Sequence, residues 1–203
     1  METDERIRPG RTGCVAGERE RLLQLVAEHL LVHGVTSSTL RGLGRAIGSN
    51  NRMLLYYFGS KEALVGEALQ TVGRDMFPTF GDAWSNVETG RGTLREDLQR
   101  VWEAISDPAN LPFLRLFFEI FGQAAQQAMG YSELLGDIGD WHRPAVVRLI
   151  GAGLSTEVAE ARATELIALW RGLQMTLIIT DDPTIVAVVQ AQALDGFCAR
   201  CLC

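Results

Sequence analysis

No stretch of this sequence reaches eighteen consecutive apolar residues, so no segment has the length and hydropathy to cross a membrane. The first 17 residues are polar and mixed in charge. They lack the apolar core of a signal peptide, and a cytoplasmic protein is expected. Histidine is scarce, with only His29, His33 and His142. His29 and His33 stand four apart, but no Glu lies between them in the zinc-protease pattern. No glycine loop ends in Lys-Ser or Lys-Thr to cradle a phosphate. No Cys–His arrangement that could act as a nucleophile is evident. These absences argue against an enzyme, and no cofactor is expected. Cysteine is also sparse: Cys14, Cys198, Cys201 and Cys203. The terminal Cys-x-x-Cys-x-Cys run has part of a metal-site spacing and no convincing fourth ligand. The four are read as reduced thiols, with no metal.

What is present is a globular balance, 47% hydrophobic and 22% charged. The net charge of -6 is unevenly spread. Residues 1–61 hold nine Arg/Lys against six Asp/Glu, giving +3, and residues 62–203 hold ten against nineteen, giving -9. From His29 to Lys61 there are Arg41, Arg45, Arg52 and Lys61, and not one carboxylate. Such a surface can approach phosphates without like-charge repulsion. The asymmetry points to a nucleic-acid partner for the N-terminal part alone.

The hydrophobic periodicity is helical throughout, and no strand pattern of period two persists. The expected fold class is all-α. Helices are predicted over 18–33, 40–47, 51–57, 61 to about 77, 93–106, 111–128, 133–151, 156–179 and 184–200. Their punctuation is consistent. Gly34 follows the first, Thr39 and Asn50 can cap the second and third, and Ser60 can cap the fourth. Gly48 supplies a turn that a side chain would hinder. Asp107-Pro108 ends the fifth, and Pro183 lies near the start of the last.

The informative stretch is Thr39 to Leu64, TLRGLGRAIGSNNRMLLYYFGSKEAL. Two short helices meet at a glycine-containing turn, and Asn50, Asn51 and Arg52 lie at the leading end of the second. That is the pattern of a helix-turn-helix, whose second helix enters the major groove. Asn can read adenine and Arg guanine through paired hydrogen bonds. Over residues 18–65 the sequence resembles the TetR family of bacterial regulators. The resemblance rests on Thr39, Arg41, Leu43, Gly48, Leu54, Tyr57-Phe58 and Ser60-Lys61-Glu62-Ala63-Leu64, in order and in spacing.

That resemblance implies a homodimer with a three-helix DNA-binding head and a six-helix bundle for ligand binding and dimerisation. The division is a flexible tail over 1–17, a helix-turn-helix domain over 18–64 and a sensing domain over 65–203. It implies a repressor that holds a palindromic operator of double-stranded DNA and is released by a small effector. By position, Asn51, Arg52 and Met53 face bases or backbone, Tyr56 and Tyr57 contact phosphate or base, Lys61 binds phosphate, and Arg41 reaches DNA from the preceding helix. The sequence departs from the family at Leu55, where a phosphate-contacting tyrosine is usual. Gly42 and Gly44 both lie inside a helix, each at a cost of about 1 kcal/mol relative to Ala. Gly44 would permit close helix contact, whereas Gly42 has no evident reason.

In the sensing half, Trp102, Phe113, Phe117, Phe121, Trp141, Trp170 and Met175 are read as core, and some could line an apolar ligand cavity. His142, Arg171 and Gln174 are candidate polar anchors, for a small, largely apolar effector. The last two helices carry stripes, Ile167, Leu169, Trp170, Leu173 and Leu177 then Ala187, Val188, Ala191 and Leu194. These can form a two-fold four-helix interface or pack within one chain. The competing reading is a helical small-molecule carrier or enzyme that does not act on DNA.

Overall fold

The computed structural model describes residues 12–36, 38–76, 92–126, 142–180 and 183–201. Among them are nine α-helices and no strand. They are α1 Thr12–His33, α2 Leu40–Ala46, α3 Asn51–Phe58, α4 Lys61–Met76, α5 Leu94–Ser106, α6 Leu111–Ala125, α7 His142–Gly151, α8 Thr156–Thr180 and α9 Pro183–Cys201. The all-α class follows the sequence reading. Helix α1 begins at Thr12, six residues before the predicted start at 18. Of the predicted helix over 133–151, residues 133–141 lie outside the described residues. No described helix is long and apolar enough to cross a membrane.

The chain divides into two compact units, with the boundary between Thr71 and Val72 inside α4. In the first, Leu22, Leu23, Val26, Ala27 and Leu30 are buried along one face of α1, and Leu43, Leu54, Phe58, Leu64, Val65 and Leu69 are buried with them. Leu40 and Ile47 are half-buried at the two ends of α2. Arg19 lies over the ring of Phe58, 4.8 Å from its centre, and pairs with Glu67 on α4.

In the second unit, α8 packs along α7 and α9, and α9 lies against α5. One core joins Leu98, Val101, Trp102 and Ile105 of α5, Ala145 and Leu149 of α7, Ala163, Leu166, Trp170 and Leu173 of α8, and Leu194 and Phe197 of α9. Thr93 and Glu96 close a reciprocal capping box at the start of α5, satisfying two otherwise orphaned N–H groups. Ser155 caps α8, its Oγ accepting from Val158 N at 3.4 Å. Inside this unit, Asp97 is wholly buried. It accepts from Nε of Arg148 at 3.0 Å and from Arg100, while Nη2 of Arg148 donates to Gly92 O at 3.0 Å. A buried carboxylate is tolerable only when paired and hydrogen-bonded in this way.

The stripes on the last two helices divide between the chain's own core and its surface. Trp170, Leu173, Leu177 and Leu194 are buried in their own chain's core. Ala187 and Val188 are exposed. The large apolar side chains left outward on these helices are Val158, Met175, Ile179, Ile185, Val188 and Val189. Met175 and Phe121, read as core, are 40% and 48% exposed. Their helices are apolar on more than one face, so composition did not separate inside from outside.

Candidate functional site

The helix-turn-helix is built from side-chain caps and glycines. Thr39 Oγ1 accepts from Gly42 N at 3.0 Å, Asn50 Oδ1 from Met53 N at 3.0 Å, and Ser60 Oγ from Ala63 N at 3.0 Å. Each satisfies a donor that a helix start leaves orphaned. Gly48 turns the chain at φ 69°, in the left-handed region. Gly44 is buried, and a Cβ there would lie 2.9 Å from Asn50 C and 3.1 Å from Asn51 N. The backbone entering α3 therefore passes where any other residue's side chain would sit. At Gly42 a Cβ would stand 3.2 Å from the Thr39 hydroxyl that caps α2, a contact a small shift relieves, and nothing in the structure demands glycine there.

These constraints fix what α3 shows. Leu54 and Phe58, four apart, are buried. The opposite face carries Asn51, Arg52, Leu55 and Tyr56 outward, with Tyr56 72% exposed. Met53 and Tyr57 are half-buried, and the Tyr57 ring meets those of Tyr56 and Phe58 edge-on at 5.0 and 6.2 Å. Asn50, as the cap, is exposed at the leading end. Leu55 is 43% exposed and offers no hydrogen bond where the family has a tyrosine.

An open depression beside this end is lined by Arg41, Arg45, Ser49, Asn50, Asn51 and Arg52. The three arginines are exposed and have no ion-pair partner among the described residues. Arg45 was not among the predicted DNA contacts. Its signal was present, since Arg45 follows Arg41 by four residues and so shares a helix face with it. Lys61, the single lysine of the sequence, is half-buried at the start of α4 and donates to Val35 O at 3.4 Å. An ammonium has two further donors.

The predicted ligand residues divide. Trp102, Phe113, Phe117 and Trp170 are buried, and the two indoles lie 6.3 Å apart. Arg171 lies with its guanidinium carbon 4.4 Å from the ring centre of Phe117, and its Nη1 donates to Gln174 Oε1 at 3.2 Å. Gln174 is wholly buried. Phe121 continues the ring ladder of α6, 6.2 Å from Phe117, on the exposed side. His142 does not join them. Its Nε2 lies 3.3 Å from Glu160 O and 3.2 Å from Thr164 Oγ1, pinning α7 to the outside of α8. Trp141 lies outside the described residues.

Cys198 and Cys201 are buried free thiols. Burial, with Cys201 adding to it, pushes the pKa of Cys198 up to about 11, and burial raises that of Cys201. Both are protonated at neutral pH and are poor nucleophiles. No group of three or more His, Cys, Asp or Glu among the described residues is arranged to hold a metal.

No protein-family model matches the chain. The HTH-type transcriptional repressor KstR2 of Rhodococcus jostii (strain RHA1) is 29% identical over 94 residues. That match covers 46% of this chain and 46% of the relative, so the chain spans about half the length of the curated relative it matches. A solved transcriptional regulator from Rhodococcus sp. RHA1 superposes with a TM-score of 0.70 at 21% identity, covering 91% of this chain and 95% of that one. A TetR transcription regulator from Haloarcula marismortui ATCC 43049 gives 0.68 at 16% identity, over 91% and 98%. With its capped helix-turn-helix and the helices that follow, the chain has the fold of the TetR-family transcriptional regulators.

Proposed function

We propose that the chain is a ligand-responsive transcriptional regulator of the TetR type, a repressor that binds a palindromic operator as a homodimer. The observation that carries this reading is the outward face of α3. Asn51, Arg52 and Tyr56 stand there beside Arg41 and Arg45, in a stretch without a single carboxylate. A major groove about 12 Å wide admits one such helix. Asn50, Asn51, Arg52 and Met53 then meet base edges or backbone, while Arg41, Tyr56, Tyr57 and Lys61 hold phosphates. The outward apolar residues of α8 and α9 support pairing of two chains, which places two reading helices on two half-sites. The repressor named among the relatives supports the direction of regulation. The interior of the second unit serves the effector.

Fluorescence anisotropy against DNA flanking the protein's own gene, with random DNA as competitor and salt varied, tests this. Selective binding at two chains per duplex that weakens with salt is expected. Arg52→Ala should lose about 1–3 kcal/mol and relax discrimination at one base, whereas Lys61→Ala should weaken all DNA alike. Equal loss on specific and random DNA would remove Arg52 from base reading. If operators selected from random DNA also fail to bind, the chain is a carrier and not a regulator.

A further inference from the structure

Gln174 on α8 has none of its surface exposed. Its Oε1 accepts from Nη1 of Arg171, one turn earlier, and its Nε2 has no hydrogen-bond partner among the described residues. A buried amide donor without an acceptor is unfavourable, because its bonds to water are lost and nothing replaces them. Flipping the carboxamide does not help. It would set NH2 against the guanidinium, donor to donor, and leave the oxygen as the orphan. Arg171 thus fixes which way the amide faces. The guanidinium itself lies over the ring of Phe117 on α6, a cation–π placement. Burial pushes its pKa down to about 10, so it remains charged at neutral pH. A half-buried cation, an oriented buried donor lacking an acceptor and an aromatic wall therefore meet between α6 and α8.

We propose that this place receives the carboxylate of an apolar organic acid, one oxygen accepting from Nε2 of Gln174 and the charge lying beside Arg171. The inference rests on the sensor reading above and names the chemical class of the effector. A carboxylate brings acceptors and no donor, and hydrogen bonds to a charged group away from water are stronger than neutral ones. Because Gln174 is enclosed, the acid reaches it only as the surrounding helices shift. The ligand-free packing leaves one donor unbonded and the liganded packing does not, so binding favours the rearranged state.

The test pairs octanoate, decanoate and 4-phenylbutyrate with the alcohols of the same carbon skeletons. Each is titrated into the full chain, followed by melting temperature and by tryptophan fluorescence, to which Trp170 contributes beside Arg171. The acids should raise the melting temperature and bind about tenfold more tightly than the alcohols, the worth of one charged hydrogen bond. In Arg171→Met and in Gln174→Leu the acids should bind no more tightly than the alcohols. Gln174→Leu removes the orphan donor and is expected to fold at least as stably as the wild type. Equal binding of acids and alcohols, no binding of any acid at millimolar concentration, or a preference that survives both substitutions would each overturn the proposal. Selective DNA binding without acid binding removes this site and leaves the regulator standing. Acid binding that does not release DNA keeps the site and removes the sensor reading.

Discussion

The two units use arginine in opposite ways. In the first, Arg41, Arg45 and Arg52 stand exposed with no carboxylate near them in sequence and no ion-pair partner among the described residues. In the second, Arg95 is paired with Asp195 at 2.6 Å, Arg148 and Arg100 with Asp97, and Arg162 and Arg200 with Glu165. Even within the first unit, Arg19 and Arg21, outside the acid-free stretch, are tied to Glu67 and Glu18. A guanidinium neutralised at home holds helices together. One left without a carboxylate is available to an anion from outside, and the spacing of acids along the chain decides which it becomes.

The largest expected effect lies on the neutralised side. Asp97→Ala leaves Arg148 buried beside a lost partner and should cost about 3–5 kcal/mol, read by urea unfolding. If the loss is no greater than for an exposed pair, the buried cluster does not hold the unit. Gly44→Ala comes next. It presses a methyl group on the backbone of Asn50 and should destabilise by about 1–3 kcal/mol, with selective DNA binding falling because α3 is displaced. Unchanged stability and binding would mean that the close approach does not set the reading angle. Arg45→Ala tests the displayed side. It should leave the melting temperature alone and reduce the salt slope of DNA binding by about 1; an unchanged slope would return Arg45 to solvent. Smallest is Arg95→Ala, which opens a solvent-exposed pair and should not move the melting temperature beyond error.

Legibility in the sequence followed the range of each interaction. The caps at Thr39, Asn50 and Ser60 act over three residues, so residue type and spacing announced them. The demand for glycine at position 44 could be guessed, because two helices close on a short turn. Gly42, exposed and near only the adjustable Thr39 hydroxyl, has no structural explanation. The Asp97–Arg148 pair joins residues 51 apart, and no local pattern marks it. Helices α6, α8 and α9 carry apolar residues on several faces, and periodicity alone did not tell the inward Leu194 from the outward Val188. In the candidate site the charged and polar residues were legible by the missing carboxylates. The tie from Arg171 through the Gln174 amide was not.

Lys61 is the one lysine in the chain, and it stands at the start of α4 on the unit proposed to hold DNA. Apart from the α-amino group, its Nζ is therefore the single primary amine that an acylating reagent can find. Arginine supplies every other fixed side-chain cation and does not react under those conditions. Occupancy of the proposed nucleic-acid face can thus be read as the rate of one chemical modification at one atom, without a mutation and without a label.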